Sequence, residues 1–524
     1  MAIDPRIPPS PAAAEPLPDL PEDRRLESGR RAAWLSGGMM FTAVVAVWAV
    51  LQFATPAPVG VDGYYHLRMA QLIRNSGWMV EFRWLPLTIL SPSAFYDHHL
   101  LYHLLLAPFA WGDPSAGGAA GLALGGKLAS VLIAALASLA VWLGLHRRVR
   151  WAGLWTLGLF ALSEAFLYRL SMPRAQSASL LLLVIGFFLL VDRRDLWLVP
   201  LGFVYVWLYD AFPLLLLISA ARVAADLVVE RRLNLRPVVY GAVGITLGLV
   251  LNPYFPRDVV FVLRHLLPKL GALEIPVGNE WYPYDAWTLV TNSGLAYAAF
   301  GAGLYFLGKR PGRIDRMSVM AFLVAAVFGL AFLRARRFAE YFPPFSLIFL
   351  AISASPWLER LKESGPWHRL RIPAIFAALF IVPLGWTTLQ AHQTIADSSP
   401  LDRYGAAASW MAGHSRVGDM VFLTDWDDFP RLFFYDTTNA YVLGLDPTYL
   451  QLADETLYDD WVAITRGEVK RPSLMISARF GARYVFSDLG HGAFLTQARI
   501  DPGLEEVYRD RSAIIYRVLA SGEG

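Results

Sequence analysis

Two short stretches early in the chain carry residue types that do chemistry. One reads V-D-G-Y-Y-H-L-R-M-A from Val61, the other F-Y-D-H-H-L-L-Y-H from Phe95. Asp62 and His66 are four residues apart, so on a helix they lie one turn apart and point the same way. A carboxylate beside an imidazole can orient an acceptor or exchange protons with it. Tyr65 and Arg68 share that segment, and Asp97 and His98, with His99 and His103, form a second polar cluster. These are candidates for holding a substrate. The histidines raise the question of zinc, but the chain has no cysteine and no compact ligand spacing of the structural-zinc kind. Asp62 also has a plainer alternative, because aspartate is a favoured helix N-cap.

Two further groups belong with these. Glu280 lies in G-N-E-W-Y-P-Y-D-A-W, where Trp, Tyr and Pro suit the rim of a sugar or lipid site or an ordinary interfacial belt. Arg334, Arg336 and Arg337 lie in R-A-R-R-F-A-E-Y-F-P-P. Guanidinium groups match phosphate oxygens bidentately, and the plainer alternative is that they snorkel to lipid phosphates.

The elements that must position these residues are mostly membrane helices. The 524 residues are 56% hydrophobic and 17% charged, with positive mean hydropathy, which excludes an ordinary soluble domain. A net charge of +3 gives no case for nucleic acid as a partner. Apolar runs near 33–54, 121–145, 151–167, 176–191, 196–210, 212–229, 237–253, 293–308, 317–333, 341–357 and 373–391 predict about eleven spans. With the N-terminus in the cytoplasm, the basic clusters at Arg24-Arg25, Arg147-Arg148, Arg193-Arg194, Arg231-Arg232, Lys309-Arg310 and Arg360 to Arg371 all fall inside. Leu100 to Trp111 is too short to span and reads as a re-entrant or interfacial helix. Segments 55–118 and 252–292 become large external loops, and residues 1–30 a disordered cytoplasmic tail. The three arginines at 334–337 then break the positive-inside pattern, and a broken local rule marks a place where function is expected.

The character changes near Ser398. A-A-A-S-W-M-A predicts a helix, M-V-F-L-T a strand followed by D-W-D-D-F-P, and R-Y-V-F-S-D and A-I-I-Y-R-V two further strands. Residues 396–524 therefore read as an extracytoplasmic α/β domain after a transmembrane module over 31–395. Acidic residues just past strand ends either bind ligands or cap helices, which leaves Asp427 with both readings. No G-x-x-x-x-G-K-[ST] or G-x-G-x-x-G occurs, so there is no case for nucleotide hydrolysis or dinucleotide binding.

A first span followed by an external loop opening D-G-Y-Y-H-L-R resembles the GT-C glycosyltransferases, and within them the oligosaccharyltransferase catalytic-subunit family. Asp62, Tyr64, Tyr65, His66 and Arg68 match that family's Asp-x-Tyr-Tyr-His-x-Arg segment position for position. The resemblance implies a mainly α polytopic bundle with a C-terminal α/β domain. It also implies a catalytic role for Asp62, with Glu280 as the carboxylate of the second loop. A divalent metal, Mg or Mn, would be shared among Asp62, Glu164 and Glu280. Trp426 and Asp427 answer to the family's Trp-Trp-Asp-Tyr-Gly acceptor motif, but the second Trp, the Tyr and the Gly are missing, and no paired acidic motif accompanies Glu164. The implied reaction moves a sugar or oligosaccharide from a polyprenyl-(pyro)phosphate donor to a protein or glycan acceptor. Its setting would be the outer face of a bacterial inner membrane, among membrane lipids. A lipid-linked sugar flippase or transporter, whose polar groups should gather near the midplane, and a polysaccharide polymerase are the alternatives.

Overall fold

The computed structural model describes residues 22–266, 278–310, 312–361 and 366–519. Helix α1 (Glu22–Gln52) starts inside the stretch expected as a tail; residues 1–21 of that stretch lie outside the described residues. Helix α2 (Asp62–Ser76) follows, and Gly77 ends it with a φ of 99° that a side chain would oppose. The short α3 (Leu100–Leu106) has seven residues and does not cross a membrane. Then come α4 (Ala119–His146), α5 (Glu164–Ser171), α6 (Gln176–Val191) and, later, α7 (Arg316–Arg334).

Of the runs expected to span, Leu35–Gln52 within α1, α4 and α7 are each long and apolar enough to cross alone. Helices α5 and α6 meet the test only as a pair bent by 112°. The bend falls at Met172-Pro173-Arg174-Ala175, because Pro173 lacks the N–H that a continuous helix needs. The run expected at 151–167 is also broken: Ser163 is extended and its hydroxyl accepts from Phe166 N, so a new helix starts at Glu164. Shorter apolar helices at Ala152–Leu162, Asp195–Leu208 and Arg236–Val250 fill the bundle.

Strands β1 (Met420–Leu423), β2 (Ala440–Tyr441), β3 (Tyr484–Asp488), β4 (Leu504–Arg509) and β5 (Ala513–Val518) form one sheet in the order β2-β1-β3-β5-β4. The β1 pairings with β2 and β3 are parallel, and β5 runs antiparallel to both β3 and β4. The first-loop residues do not stand apart from this sheet. Phe82, Trp84, Phe95 and Leu100 share one hydrophobic core with Val421, Phe433, Tyr441 and Ile515. Tyr441 N donates to Trp84 O at 2.8 Å, the Trp84 indole donates to Thr437 O at 2.8 Å, and Ile89 N donates to Tyr449 O at 3.1 Å. Loop 55–118 and the C-terminal part, expected as separate units, are packed together in one core.

Candidate active site

Asp62 is the first residue of α2, and the cap position belongs to Val61, with no side-chain capping bond. The capping alternative therefore falls away, and the carboxylate is spent elsewhere. Its Oδ2 lies 3.2 Å from Arg174 Nη2, while Arg174 Nη1 lies 3.1 Å from Glu280 Oε2. Arg169 continues the chain, 2.9 Å from Glu280 and 2.6 Å from Glu340. The two loop carboxylates read from the sequence thus meet, bridged by a guanidinium.

They open on a cavity of about 260 Å³. Tyr65, His66, His98, His99 and His265 line one part, and Tyr209, Asp210, Trp281, Arg337 and Tyr341 another. Leu445, Asp446 and Tyr449 bring in the C-terminal part. Arg337 donates to the Tyr209 hydroxyl at 2.8 Å, and its guanidinium lies 4.0 Å from the centre of the Trp281 ring. Among the described residues no carboxylate stands within ion-pair distance of Arg337, which lines the cavity held by Tyr209 and Trp281 alone.

The electrostatics split the carboxylates. Burial outweighs Arg174 at Asp62 and raises its carboxyl above the ordinary range. At Glu280 burial is overcome by Arg174, Arg337 and Arg169, which hold it well below that range. Two carboxyls pushed apart in this way take different roles at one pH. His66 is held well below the usual imidazole range by burial, then by His103, Arg174 and His98, so its ring is neutral. Its Nδ1 lies 2.8 Å from His103 Nε2, and His103 Nδ1 lies 2.7 Å from Asp97 Oδ2.

Other expected residues sit elsewhere. Arg68 donates to Asp113 at 2.6 Å and to Thr437 at 3.3 Å, tying α2 to the loop and to the C-terminal part. Asp97 reaches the cavity only through the histidines. Arg334 ends α7 exposed, and Arg336 lies over Tyr284 and donates to Pro283 O at 3.2 Å. Trp426 packs against Gly278, outside the cavity lining. Asp427 is near enough to Asp62 to feel its charge; burial, with Asp62 and Asp425, pushes it up to about 7.

The expected metal set does not assemble. Glu164 bonds Thr394 and does not line the cavity, Arg174 stands between Asp62 and Glu280, and no three-ligand group occurs among the described residues. Divalent-metal ligation by Asp62, Glu164 and Glu280 does not fit this donor set.

Sequence reasoning gave no site role to Arg169, Arg174, Tyr209, Glu340 or Asp446, although Arg169 and Arg174 stand beside Glu164 in a stretch it noted. A signal existed for two of them: Arg169 and Arg174 are cations on the side expected to be external, the anomaly that singled out Arg337.

A helical bundle with a bent helix pair, whose 55–118 loop and C-terminal sheet roof a carboxylate–arginine cavity, is the kind of arrangement that the resemblance of the Asp62–Arg68 segment implies. The comparisons with known proteins point to the same fold. No family model matches the chain. It is 27% identical over 317 residues to dolichyl-phosphooligosaccharide-protein glycotransferase 3 of Archaeoglobus fulgidus, covering 50% of this chain and 36% of that protein. The chain thus spans about a third of that relative's length. The fold matches the apo crystal structure of the Archaeoglobus fulgidus oligosaccharyltransferase with a TM-score of 0.62 at 14% identity, over 92% of this chain and 75% of that one. It matches ArnT from Cupriavidus metallidurans bound to undecaprenyl phosphate with a TM-score of 0.54 at 15% identity, over 93% and 98% of the two chains.

Proposed function

We propose that the chain is a membrane glycosyltransferase of oligosaccharyltransferase-like type, moving a sugar or oligosaccharide from a polyprenyl-(pyro)phosphate to a protein or glycan acceptor. The observation that carries this reading is the meeting of Asp62, Glu280, Arg174 and Arg337 at one cavity. Transfer from a lipid phosphate needs positive charge where the phosphate departs and a carboxylate where the anomeric carbon becomes electron-poor. Arg337 and Arg174 supply the first and Asp62 the second. Glu280, held ionised, keeps Arg174 in place. The names of the relatives support the donor class, since one carries dolichyl-phosphooligosaccharide in its name and another was solved with undecaprenyl phosphate.

In this reading the cavity opens on the outer face of a bacterial inner membrane. The N-terminus is cytoplasmic, about eleven segments including bent ones traverse the bilayer, and residues 396–524 lie outside. The placement of Asp62, Arg174, Asp210, Glu280 and Arg337 at helix ends and between helices supports a transferase over a transporter, whose polar groups should gather at mid-length.

The test is reconstitution of the full chain in liposomes with a pool of polyprenyl-linked sugars and peptide or glycan acceptors. Mass spectrometry should show sugar on an acceptor and free polyprenyl phosphate or pyrophosphate in step with it. Movement of intact lipid-linked sugar across the bilayer without transfer would overturn the reading in favour of a flippase.

A further inference from the structure

The buried chain Asp97–His103–His66 ends at the cavity. A neutral imidazole carries one donor and one acceptor nitrogen, so a chain of two rings anchored on a carboxylate has its proton positions decided. Asp97 Oδ2 accepts, which places a proton on His103 Nδ1 at 2.7 Å. His103 Nε2 is then the acceptor for His66 Nδ1–H at 2.8 Å. That leaves His66 Nε2 with a lone pair, on a residue that lines the cavity beside Asp62. The second oxygen of Asp97 accepts from His99 N at 3.1 Å, so the anchor cannot swing.

Resting on the transfer reading above, we propose that His66 Nε2 takes the proton of an acceptor hydroxyl during transfer. His103 and Asp97 act as positioning residues that fix its tautomer and receive the charge. The acceptor oxygen forms its bond to the anomeric carbon as the bond from that carbon to the phosphate oxygen breaks, the electron pair leaving with the phosphate. The hydroxyl proton goes to His66 Nε2, and the Nδ1 proton of His66 moves to His103 Nε2. The positive charge then rests on His103, against Asp97, and not on His66, whose neighbours are Asp62 and Tyr65 from its own helix, His98, His99 and Tyr102 from the 96–106 segment, and Arg174 from the α5–α6 corner. Arg174 and His98 would repel a charge left on His66; the relay moves it one ring further away.

Asp97→Asn gives the inference its sharpest test. A carboxamide can donate to His103 Nδ1, which reverses both rings and leaves His66 Nε2 protonated and unable to accept. The full chain in nanodiscs, with its ten histidines ¹⁵N-labelled, reads this directly. The His66 signal, assigned by difference against His66→Gln, should show an unprotonated Nε2 in the wild type and a protonated one in Asp97→Asn. Transfer should fall by about 100-fold or more in His66→Gln and in Asp97→Asn, with thermal stability close to wild type and donor binding retained. A protonated wild-type His66 Nε2, or full-rate transfer by a folded His66→Gln protein, would overturn the relay while leaving the transferase reading intact. Absence of transfer by the wild-type protein would overturn both.

Discussion

A Cβ placed on Gly63 would lie 2.3 Å from Cγ of Pro173. The residue after Asp62 therefore has to be glycine for the α5–α6 corner to rest on the first turn of α2. That corner ends in Arg174, whose guanidinium is delivered in this way to the carboxylate beside Gly63. Gly63→Ala is expected to destabilise the protein by about 1–3 kcal/mol through overpacking. It should also depress transfer by more than the stability loss explains, because the corner moves as a unit with Arg174. Transfer by folded Gly63→Ala protein at the wild-type rate would show that the corner tolerates displacement.

The Asp62–Arg174 pair makes opposite demands on two variants. Asp62→Asn removes charge but has no cap bond to preserve or lose, since Val61 holds the cap position. A loss of about 100-fold or more in transfer is expected, with Asn unable to stabilise a developing positive charge. Arg174→Lys keeps the charge but reaches only one of Asp62 and Glu280 at a time, because the fork is lost. It should retain more activity than Arg174→Gln, in which two carboxylates are left facing each other. Measured transfer rates in the order Lys above Gln support the bridge; equal rates would mean that Arg174 serves only to pack the corner.

Arg337 differs from its neighbours in what it faces. It lines the cavity with its flat side on Trp281, whereas Arg334 is exposed at a helix end and Arg336 is engaged with Tyr284 and Pro283. Arg337→Lys should weaken donor binding by about 1.5–3 kcal/mol, the worth of a charge-assisted contact. Arg334→Lys and Arg336→Lys should leave it unchanged. Titration of each variant with a polyprenyl phosphate, by calorimetry, separates the three.

How much of this was legible in the sequence depends on the range of the interaction. Asp62, His66 and Glu280, which line one cavity, could be singled out because each is a charged or imidazole group in an apolar context, a local anomaly. Gly77 as a helix end and the strands at Met420, Tyr484 and Ala513 followed from equally local patterns. The bridging of Asp62 and Glu280 could not, because it depends on the packing of Gly63 against Pro173, more than a hundred positions away. D-W-D-D drew attention as a site, yet Asp425 serves as a cap, accepting from Asp427 N, and the C-terminal wall of the cavity comes from Leu445, Asp446 and Tyr449. That stretch has no pattern of its own. It is brought to the cavity by the shared core between loop and sheet, which neither segment's periodicity records.

The same acidic stretch sets the last prediction, on stability against pH. Burial, with Asp425 beside it, pushes Asp428 up to about 8, and burial with Asp62 and Asp425 pushes Asp427 up to about 7. An unfolded aspartate titrates near 3.9. Both carboxyls thus prefer the protonated form in the folded protein, and their contribution to stability is fully present below about pH 4. It declines as pH rises, since the unfolded chain ionises freely while the folded one must either stay protonated or bury a charge. The loss is complete once pH passes the folded values near 7 and 8. Other carboxylates act in the opposite direction at the acid end; Glu280 and Asp488 are held low and lose stability as pH falls. The expected signature is therefore a difference between variants rather than the wild-type curve alone. Asp428→Asn, which removes the ionisation and keeps the shape, should raise the melting temperature relative to wild type, and by more at pH 8 than at pH 5. Differential scanning fluorimetry at the two values, on protein in the same detergent, is sufficient. A shift of equal size at both would mean that Asp428 acts through packing or hydrogen bonding with Tyr404 and not through its charge.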